Sequence, residues 1–328
     1  MLRTIRDLLT GDGDPMPWKT VAVTCAATML PPVAGVLIFG RIGAVAFIAT
    51  LASYLAAKDK GVLPAALVTL VMGFAGLLTV GDPVMGVMVA PTLGIMAGIC
   101  GYYGFALPVM RALITWTVFT SPIFPADEKP LMFAIFAAAM IWALAVAWLF
   151  HESDTNEPEE PDSEEYALVF GAMLAVGLGL SVWVGGRYFE DHGFWFPLTF
   201  VVLCIPPHGR LFSRTVKRTI GTLLGTAIAL AIAWVSEATW LMILVGAVSL
   251  PLAFRLLPRN YMLFTTFLTV AVLEVLALVS DVDTLAWERI ATMGLAAVMT
   301  ALLAGLGLLG LWILRPAALV ALQQQDDG

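Results

Sequence analysis

The sequence predicts an all-α membrane protein that crosses the bilayer many times, and three features support this fold class. The 328-residue chain is 60% hydrophobic and only 12% charged, whereas a soluble domain carries about 25% charged residues. Its mean hydropathy is +0.92. Long apolar runs recur from one end of the chain to the other, as expected for helices that span a hydrocarbon layer.

Apolar runs separated by polar or turn residues predict twelve transmembrane helices, six on each side of an acidic segment. The fourth and fifth crossings meet near Gly101 without a polar loop. The first six are predicted at 18–38, 42–57, 62–80, 84–101, 102–121 and 131–150, and the second six at 166–186, 193–206, 217–236, 238–254, 260–280 and 289–313.

The distribution of basic residues supports this number of crossings through the positive-inside rule. With both termini in the cytoplasm, only four of the 17 Lys and Arg residues fall on the outer side. Merging the crossings around Gly101 would also place the bases of 210–218 outside. The sequence therefore predicts twelve crossings with both ends inside the cell. The four outer bases are Arg41, Lys129, Arg187 and Arg289.

The net charge of −7 comes from one segment, residues 151–165, which contains eight carboxylates and no Lys or Arg. The acidity therefore describes a linker and not a preference for basic partners. The predicted organisation is a cytoplasmic N-terminal segment, a first six-helix half, an acidic cytoplasmic linker, a second six-helix half and a cytoplasmic tail, at 1–17, 18–150, 151–165, 166–316 and 317–328.

The two halves follow a similar pattern, which predicts an internal repeat of about 150 residues. Six crossings per copy is an even number, so the two copies are predicted to lie parallel in the membrane. The second crossing of each half, at 42–57 and 193–206, is short for a bilayer with about 30 Å of hydrocarbon. Matching short helices favour a transport site, and a tilted or kinked buried helix is the alternative.

Two ionisable residues lie well inside apolar runs, Arg111 in the fifth crossing and Glu274 in the eleventh. Such residues are costly in a bilayer and suggest function. We expect both to face a shared central cavity, where Arg111 would attract an anionic substrate and Glu274 would carry the coupling proton. A structural ion pair, or an Arg111 side chain that reaches the cytoplasmic interface, is the alternative.

The segment from His208 to Arg218 is predicted to be a cytoplasmic loop whose bases fix the orientation of the chain. Arg210, Arg214 and Arg218 would also gather anions from the cytosol, and nucleic acid is not an expected partner. The next crossing has a small residue at every fourth position, which predicts close packing with another helix in lipid. A direct role in the substrate path is the alternative. These small residues are Gly221, Gly225, Ala229 and Ala233.

Neither a metal site nor a cofactor is expected, because the three His and three Cys residues are scattered along the chain. The sequence also lacks HExxH and GxSxG motifs and paired intramembrane aspartates. These absences argue against an enzyme. The lipid bilayer remains the predicted environment, because of the long apolar runs.

The motif RTIGTLLG at 218–225 resembles the fusaric-acid-resistance-like family, which is related to aromatic acid exporters. The resemblance returns at Arg259-Asn260-Tyr261, which opens an apolar helix containing Thr269, and in the final crossing before Arg315-Pro316. It extends over residues 190–316.

The resemblance implies an efflux permease in the bacterial inner membrane, driven by the proton gradient. It implies small aromatic or hydrophobic organic acids as substrates, with Tyr261 and Thr269 on their path. A second copy of the chain in a homo-oligomer or a periplasmic adaptor protein is a further expected partner. The chain departs from the family pattern because better-known exporters have a large cytosolic domain where only the acidic linker stands here.

Two other functions fit the same pattern. Plant malate channels look like distant relatives of the family, so an organic-anion channel is the first alternative. A non-transporting membrane scaffold or accessory protein is the second. The three hypotheses differ in what drives flux: a proton gradient for the exporter, voltage for the channel, and no flux for the scaffold.

Overall fold

The computed structural model describes residues 13–122, 124–153, 161–206, 211–236, 238–277 and 281–314. These residues form twelve α-helices and three short 3₁₀ helices, and contain no β-strand. Each α-helix overlaps one of the twelve predicted crossings. The predicted all-helical membrane class is therefore confirmed.

Six α-helices precede the acidic linker and six follow it. The first six are α1 Trp18–Phe39, α2 Val45–Lys60, α3 Val62–Thr79, α4 Pro83–Tyr102, α5 Ala106–Phe119 and α6 Lys129–Leu149. The second six are α7 Glu164–Tyr188, α8 Trp195–Leu203, α9 Leu211–Val235, α10 Thr239–Leu256, α11 Tyr261–Leu276 and α12 Val282–Leu314. The 3₁₀ helices are Gly40–Ala44, Ala126–Glu128 and Glu190–His192.

Eight segments of the described chain are long and apolar enough to cross a membrane. Helices α5, α8 and α11 have only 14, 9 and 16 residues, fewer than the roughly 20 that a regular crossing needs. Twelve crossings and a two-repeat arrangement therefore stay predictions. The eight segments are Trp18–Lys60, which contains α1 and α2, with Val62–Thr79, Pro83–Tyr102, Ala126–Leu149, Glu164–Tyr188, Leu211–Val235, Thr239–Leu256 and Val282–Ile313.

Helices α4 and α5 are separate, although no polar loop lies between them. The chain breaks between Tyr102 and Ala106, where Gly104 adopts a φ of +71°. That left-handed conformation is accessible to glycine without a steric penalty. The glycine, and not a polar loop, therefore ends the fourth helix.

Four of the described helices begin at a side chain that accepts a hydrogen bond from the first turn, including α12 at Asp281. Asp82 accepts from the amide of Met85 at 2.9 Å. Ser163 and Asn260 do the same at the starts of α7 and α11. Such caps satisfy amide groups that have no partner within the helix, so these polar residues set where the helices start.

The chain divides into two compact units. The described residues of the smaller unit lie within 13–25 and 212–297, and they include α10, α11, most of α9 and the first half of α12. Those of the larger unit lie within 26–211 and 298–314. The units thus follow packing and do not coincide with the two halves of the sequence.

In the larger unit, α4 and α7 pack through small residues. A Cβ added at Gly94 would lie 2.6 Å from the Cα of Ala175, and one at Gly98 would lie 2.6 Å from the Cα of Gly171. Both separations are shorter than any ordinary contact, so only glycine permits this approach. The fourth helix of the first half thereby holds the first helix of the second half.

Two glycine pairs form similar joints before the short second helix of each half. A Cβ at Gly35 would lie 2.8 Å from the carbonyl oxygen of Gly43. A Cβ at Gly185 would overlap the carbonyl oxygen of Gly193. Gly43 lies within the 3₁₀ helix Gly40–Ala44, and Gly193 directly follows the 3₁₀ helix Glu190–His192. Corresponding glycines of the two pairs are 150 residues apart in the sequence. The two joints therefore have the same spacing and the same kind of backbone contact.

In the smaller unit, the segment before α1 is attached to the end of α10. The amide of Met16 donates to the carbonyl oxygen of Arg255 at 2.8 Å, and the Arg255 Nη1 donates to the Met16 carbonyl at 3.1 Å. The Arg255 guanidinium also lies 4.5 Å from the ring centre of Trp18. This cation–π contact and the two hydrogen bonds fix the start of the first helix.

Candidate functional site

A stripe of buried polar residues follows one face of α9. Arg218, Thr222 and Thr226 occur at intervals of four residues, which places their side chains on the same side of a helix. All three are buried, with only 4% of Arg218 exposed. A buried arginine in an apolar helix bundle is costly unless other groups satisfy it. Its partners therefore define the candidate site.

Two glycines bring α9 against α11. A Cβ at Gly221 would overlap the hydroxyl of Thr265, and one at Gly225 would lie 2.7 Å from the Cβ of Thr269. The helices approach closely because neither glycine has a side chain. Ala229 further along α9 is also buried, whereas Ala233 is half-exposed.

The close approach brings Arg218 to Tyr261, the first residue of α11. The Arg218 Nη1 donates a hydrogen bond to the Tyr261 hydroxyl at 3.1 Å. The neighbouring Asn260 caps α11 by accepting from the amide of Leu263 at 3.1 Å. Asn260 therefore caps the start of α11, and Tyr261 contacts Arg218.

The hydrogen-bonding capacity around Arg218 is only partly used. Its Nε is buried and has no hydrogen-bond partner among the described residues. The hydroxyls of Thr222 and Thr226 are buried and unpartnered as well. In contrast, the hydroxyls of Thr265 and Thr266 both donate to the carbonyl oxygen of Met262. The unused groups therefore belong to the stripe on α9.

A second buried arginine lies near Arg218. Arg289 of α12 is 7% exposed and interacts electrostatically with Arg218. The predicted start of the last crossing, at Arg289, is later than the observed start of the helix, and the placement of Arg289 on the outer side stays a prediction. The helix starts earlier, at Val282, because the Asp281 side chain accepts a hydrogen bond from the Thr284 amide at 2.9 Å. This earlier start places Arg289 about two turns inside the helix.

Glu274 is a third buried ionisable residue of the smaller unit. It is 3% exposed, and its Oε1 has no hydrogen-bond partner among the described residues. A Cβ added at Gly246 of α10 would lie 3.9 Å from the Cβ of Glu274. The carboxylate therefore lies on the part of α11 that packs near α10, and it is available to hold a proton.

Arg111 has a different environment, in the larger unit. Its Nε donates to the Oδ2 of Asp59 at 3.2 Å, and both side chains are partly exposed. The neighbouring Lys58 pairs with Glu152 at 2.7 Å. Arg111 therefore takes part in an ion pair, the alternative that the sequence left open. Arg111 and Glu274 belong to different units, and their shared cavity stays a prediction.

The basic segment before the motif differs from the prediction of a loop. Arg214 and Arg218 lie on the first two turns of α9, because that helix begins at Leu211. Arg214 is half-buried and Arg218 is buried. Arg210 lies outside the described residues. Anion access from the cytosol through these arginines stays a prediction.

Residues of the motif and of the Asn-Tyr segment thus meet in one helix bundle. Residues 172–304 match the family described as fusaric acid resistance protein-like. The resemblance drawn from the motif is thereby confirmed. The match covers α8 to α11 completely and most of α7 and α12, so it includes Arg218, Tyr261, Glu274 and Arg289. No curated protein and no solved structure gives a significant match.

The matched family points to membrane transporters or efflux proteins, and the long apolar helices of the described chain fit a multi-pass membrane protein. Members of this family are transporters and not enzymes. Within the part of the chain that the structure describes, no three His, Cys, Asp or Glu side chains come together to hold a metal ion. The candidate site itself contains buried charged and hydroxyl side chains, among them Arg218, Thr222 and Thr226.

The sequence did not point to Thr222, Thr226 or Arg289 as residues of the candidate site. The four-residue spacing from Arg218 through both threonines was a signal for the polar stripe. The pattern Asp281 to Thr284 was a signal for an earlier helix start, because Asp is a favoured N-cap residue. Recognising that start would have placed Arg289 about two turns inside the last helix.

Proposed function

We propose that the protein is a secondary-active exporter of small aromatic or hydrophobic organic acids across the bacterial inner membrane, coupled to protons. Its main support is Glu274, a buried carboxyl group with one unpartnered oxygen in the interior of a transporter-family bundle. Intramembrane carboxylates commonly serve as proton relays in transporters. Tyr261 and Thr269, on the same helix, are proposed to line the substrate path.

The proton-coupling role follows from the cost of burying charge. A carboxylate without a counter-ion is expensive in an apolar interior, so Glu274 is expected to hold a proton while it is enclosed. Releasing that proton requires water or a positive partner to reach the side chain. A conformational change that opens the site to one side of the membrane can therefore be linked to proton release on that side.

We also propose that all twelve helices belong to the membrane region, arranged as two parallel repeats with both termini in the cytoplasm. The corresponding joints at Gly35–Gly43 and Gly185–Gly193 support the repeat. The short α5, α8 and α11 are proposed to cross only part of the bilayer or to tilt within it. Ends of short helices expose backbone groups that can line a transport cavity.

The test is proton-driven transport of hippurate, an aromatic monocarboxylate whose amide slows passive passage through lipid. Purified protein is reconstituted in liposomes with an imposed pH gradient, and protein-free liposomes measure the leak. We expect Glu274→Gln to lower gradient-driven accumulation by at least about tenfold, because the amide cannot carry the proton. Asp283→Asn, which removes an exposed carboxylate of the same unit, is the matched control and should transport normally.

Each competing function predicts a different result. Full gradient-driven accumulation by Glu274→Gln contradicts the proton-coupling role. Flux that follows an imposed voltage and ignores the pH gradient indicates an anion channel. Wild-type protein without any hippurate flux above the leak contradicts transport of aromatic acids and favours the scaffold.

A further inference from the structure

We propose that Arg218 and Arg289 form a subsite that binds the carboxylate of the substrate within the smaller unit. This inference rests on the proposed function and names the residues that recognise the anion. The sequence suggested Arg111 for this role and placed Arg218 at the cytoplasmic mouth. The contacts instead favour Arg218, because Arg111 donates to Asp59 whereas Arg218 keeps an unused donor.

The planar donors and the buried positive charge of Arg218 both favour an anionic partner. A guanidinium presents a planar set of five N–H donors that fits a carboxylate with two parallel hydrogen bonds. One donor of Arg218 is occupied by the neutral Tyr261 hydroxyl, and the Nε donor has no partner. No carboxylate of the described residues forms an ion pair with it. A buried positive charge is therefore left for a ligand to neutralise.

Arg289 adds a second positive charge to the same region. Two like charges in a desolvated interior repel each other, and an anion placed near both is attracted by each. Arg289 has contacts of its own, so its proposed contribution is its charge and not an unused hydrogen bond. The pair would therefore favour an anion over a neutral molecule of the same shape.

The polar stripe also suggests the size of the ligand. Thr222 and Thr226 lie about 6 Å and 12 Å along the helix axis from Arg218, at a rise of about 1.5 Å per residue. Their buried hydroxyls have no partner among the described residues. An aromatic acid of six to ten carbon atoms is comparable in length to this stripe. We therefore assign the carboxylate to Arg218 and the polar groups of the ligand body to the threonines.

The test measures binding separately from transport. Purified full-length protein in detergent is titrated with hippurate and with hippuramide, its uncharged analogue, by isothermal titration calorimetry. We expect Arg218→Gln to weaken hippurate binding by at least about tenfold, because a charge-assisted hydrogen bond to the carboxylate is lost. Arg218→Lys keeps the charge without the planar fork and should bind with intermediate affinity.

Lys217→Gln is the matched control, because it removes a neighbouring positive charge from a partly exposed position on the same helix. It should leave hippurate affinity within about twofold of wild type, since screened surface charges contribute little. Hippuramide should bind weakly to wild-type protein, and its affinity should not depend on Arg218. Gel filtration and thermal unfolding establish whether each variant is folded. If Arg218→Gln does not fold, Arg218→Lys, which keeps a positive charge, provides the test of the planar guanidinium.

Two results would overturn the subsite. Equal hippurate affinity in wild type and folded Arg218 variants shows that Arg218 does not bind the carboxylate. A similar loss of affinity for hippuramide shows a structural effect and no recognition of charge. If wild-type liposomes still export hippurate in either case, transport stands and only the subsite fails. If Glu274→Gln abolishes proton-driven export but binds hippurate normally, the two roles are separate, as proposed.

Discussion

The contact between α4 and α7 predicts that adding one methyl group at Gly94 destabilises the protein. A Cβ there would lie 2.6 Å from the Cα of Ala175 and 2.7 Å from the carbonyl carbon of Leu174. These are backbone atoms, which cannot rotate away. The helices would have to separate by roughly 1 Å to bring every one of these atoms back to an ordinary contact, in an interior that is packed like a crystal.

The magnitude follows from two opposing effects. Replacing glycine by alanine within a helix stabilises it by about 1 kcal/mol. Overpacking a well-packed interior costs about 1–3 kcal/mol. Gly86→Ala on the same helix is the matched control, because its new methyl group would meet only Val182 at 3.7 Å. Gly94→Ala should therefore be about 1–3 kcal/mol less stable than Gly86→Ala.

Thermal unfolding in detergent at a fixed heating rate measures the difference. A change of 1 kcal/mol shifts the Tm of a chain of this size by about 2–4 °C, and a fixed rate matters because unfolding of membrane proteins is often irreversible. We expect the apparent Tm of Gly94→Ala to lie several degrees below that of Gly86→Ala. Equal values for the two variants would refute the close α4–α7 contact.

Two further predictions concern ionisable groups of the larger unit. Burial raises the pKa of Asp162 above its ordinary value of 3.8, so its contribution to stability is greatest at low pH and is lost as pH rises through the folded pKa. Asp162→Asn should therefore have a higher apparent Tm than wild type at pH 7, and the gap should close below about pH 4; a pH-independent gap argues against this linkage. For the ion pair of Arg111 and Asp59, each single neutral substitution should cost about 1 kcal/mol or less, and the double variant should cost less than the two combined. Hippurate export that survives in the Arg111→Gln and Asp59→Asn double variant would limit Arg111 to a structural role, whereas lost export would support its predicted place in the pathway.

The number and approximate positions of the helices could be predicted from the sequence, because insertion of a helix into lipid depends on the composition of its residues. Each predicted crossing corresponds to one α-helix. The distribution of basic residues also predicted a break near Gly101, which the structure shows between Tyr102 and Ala106. Helix ends were less accurate, since they depend on local hydrogen bonds. The cap at Asp281 moves the start of α12 by seven residues and changes the environment of Arg289.

The candidate site was only partly predictable for a related reason. Arg218 was selected from the basic segment and Tyr261 from the resemblance, but their hydrogen bond depends on how closely α9 approaches α11. That distance is set by Gly221 and Gly225 together with the threonines opposite them. The ion pair of Arg111 with Asp59 likewise joins helices that are distant in sequence. The hydropathy pattern of a sequence does not predict such contacts between distant helices.

The joints at Gly35–Gly43 and Gly185–Gly193 bear on the evolutionary origin of the chain. Two joints with the same internal spacing, 150 residues apart, are expected if an ancestral six-helix protein was duplicated and fused. An ancestor with six crossings would have had both ends on one side of the membrane, so a short hydrophilic connection was enough to join two copies. After such a duplication, side chains would be free to diverge between the copies, because each copy could specialise. Glycines whose backbones touch would not have this freedom, so they would stay similar after most other identities had disappeared.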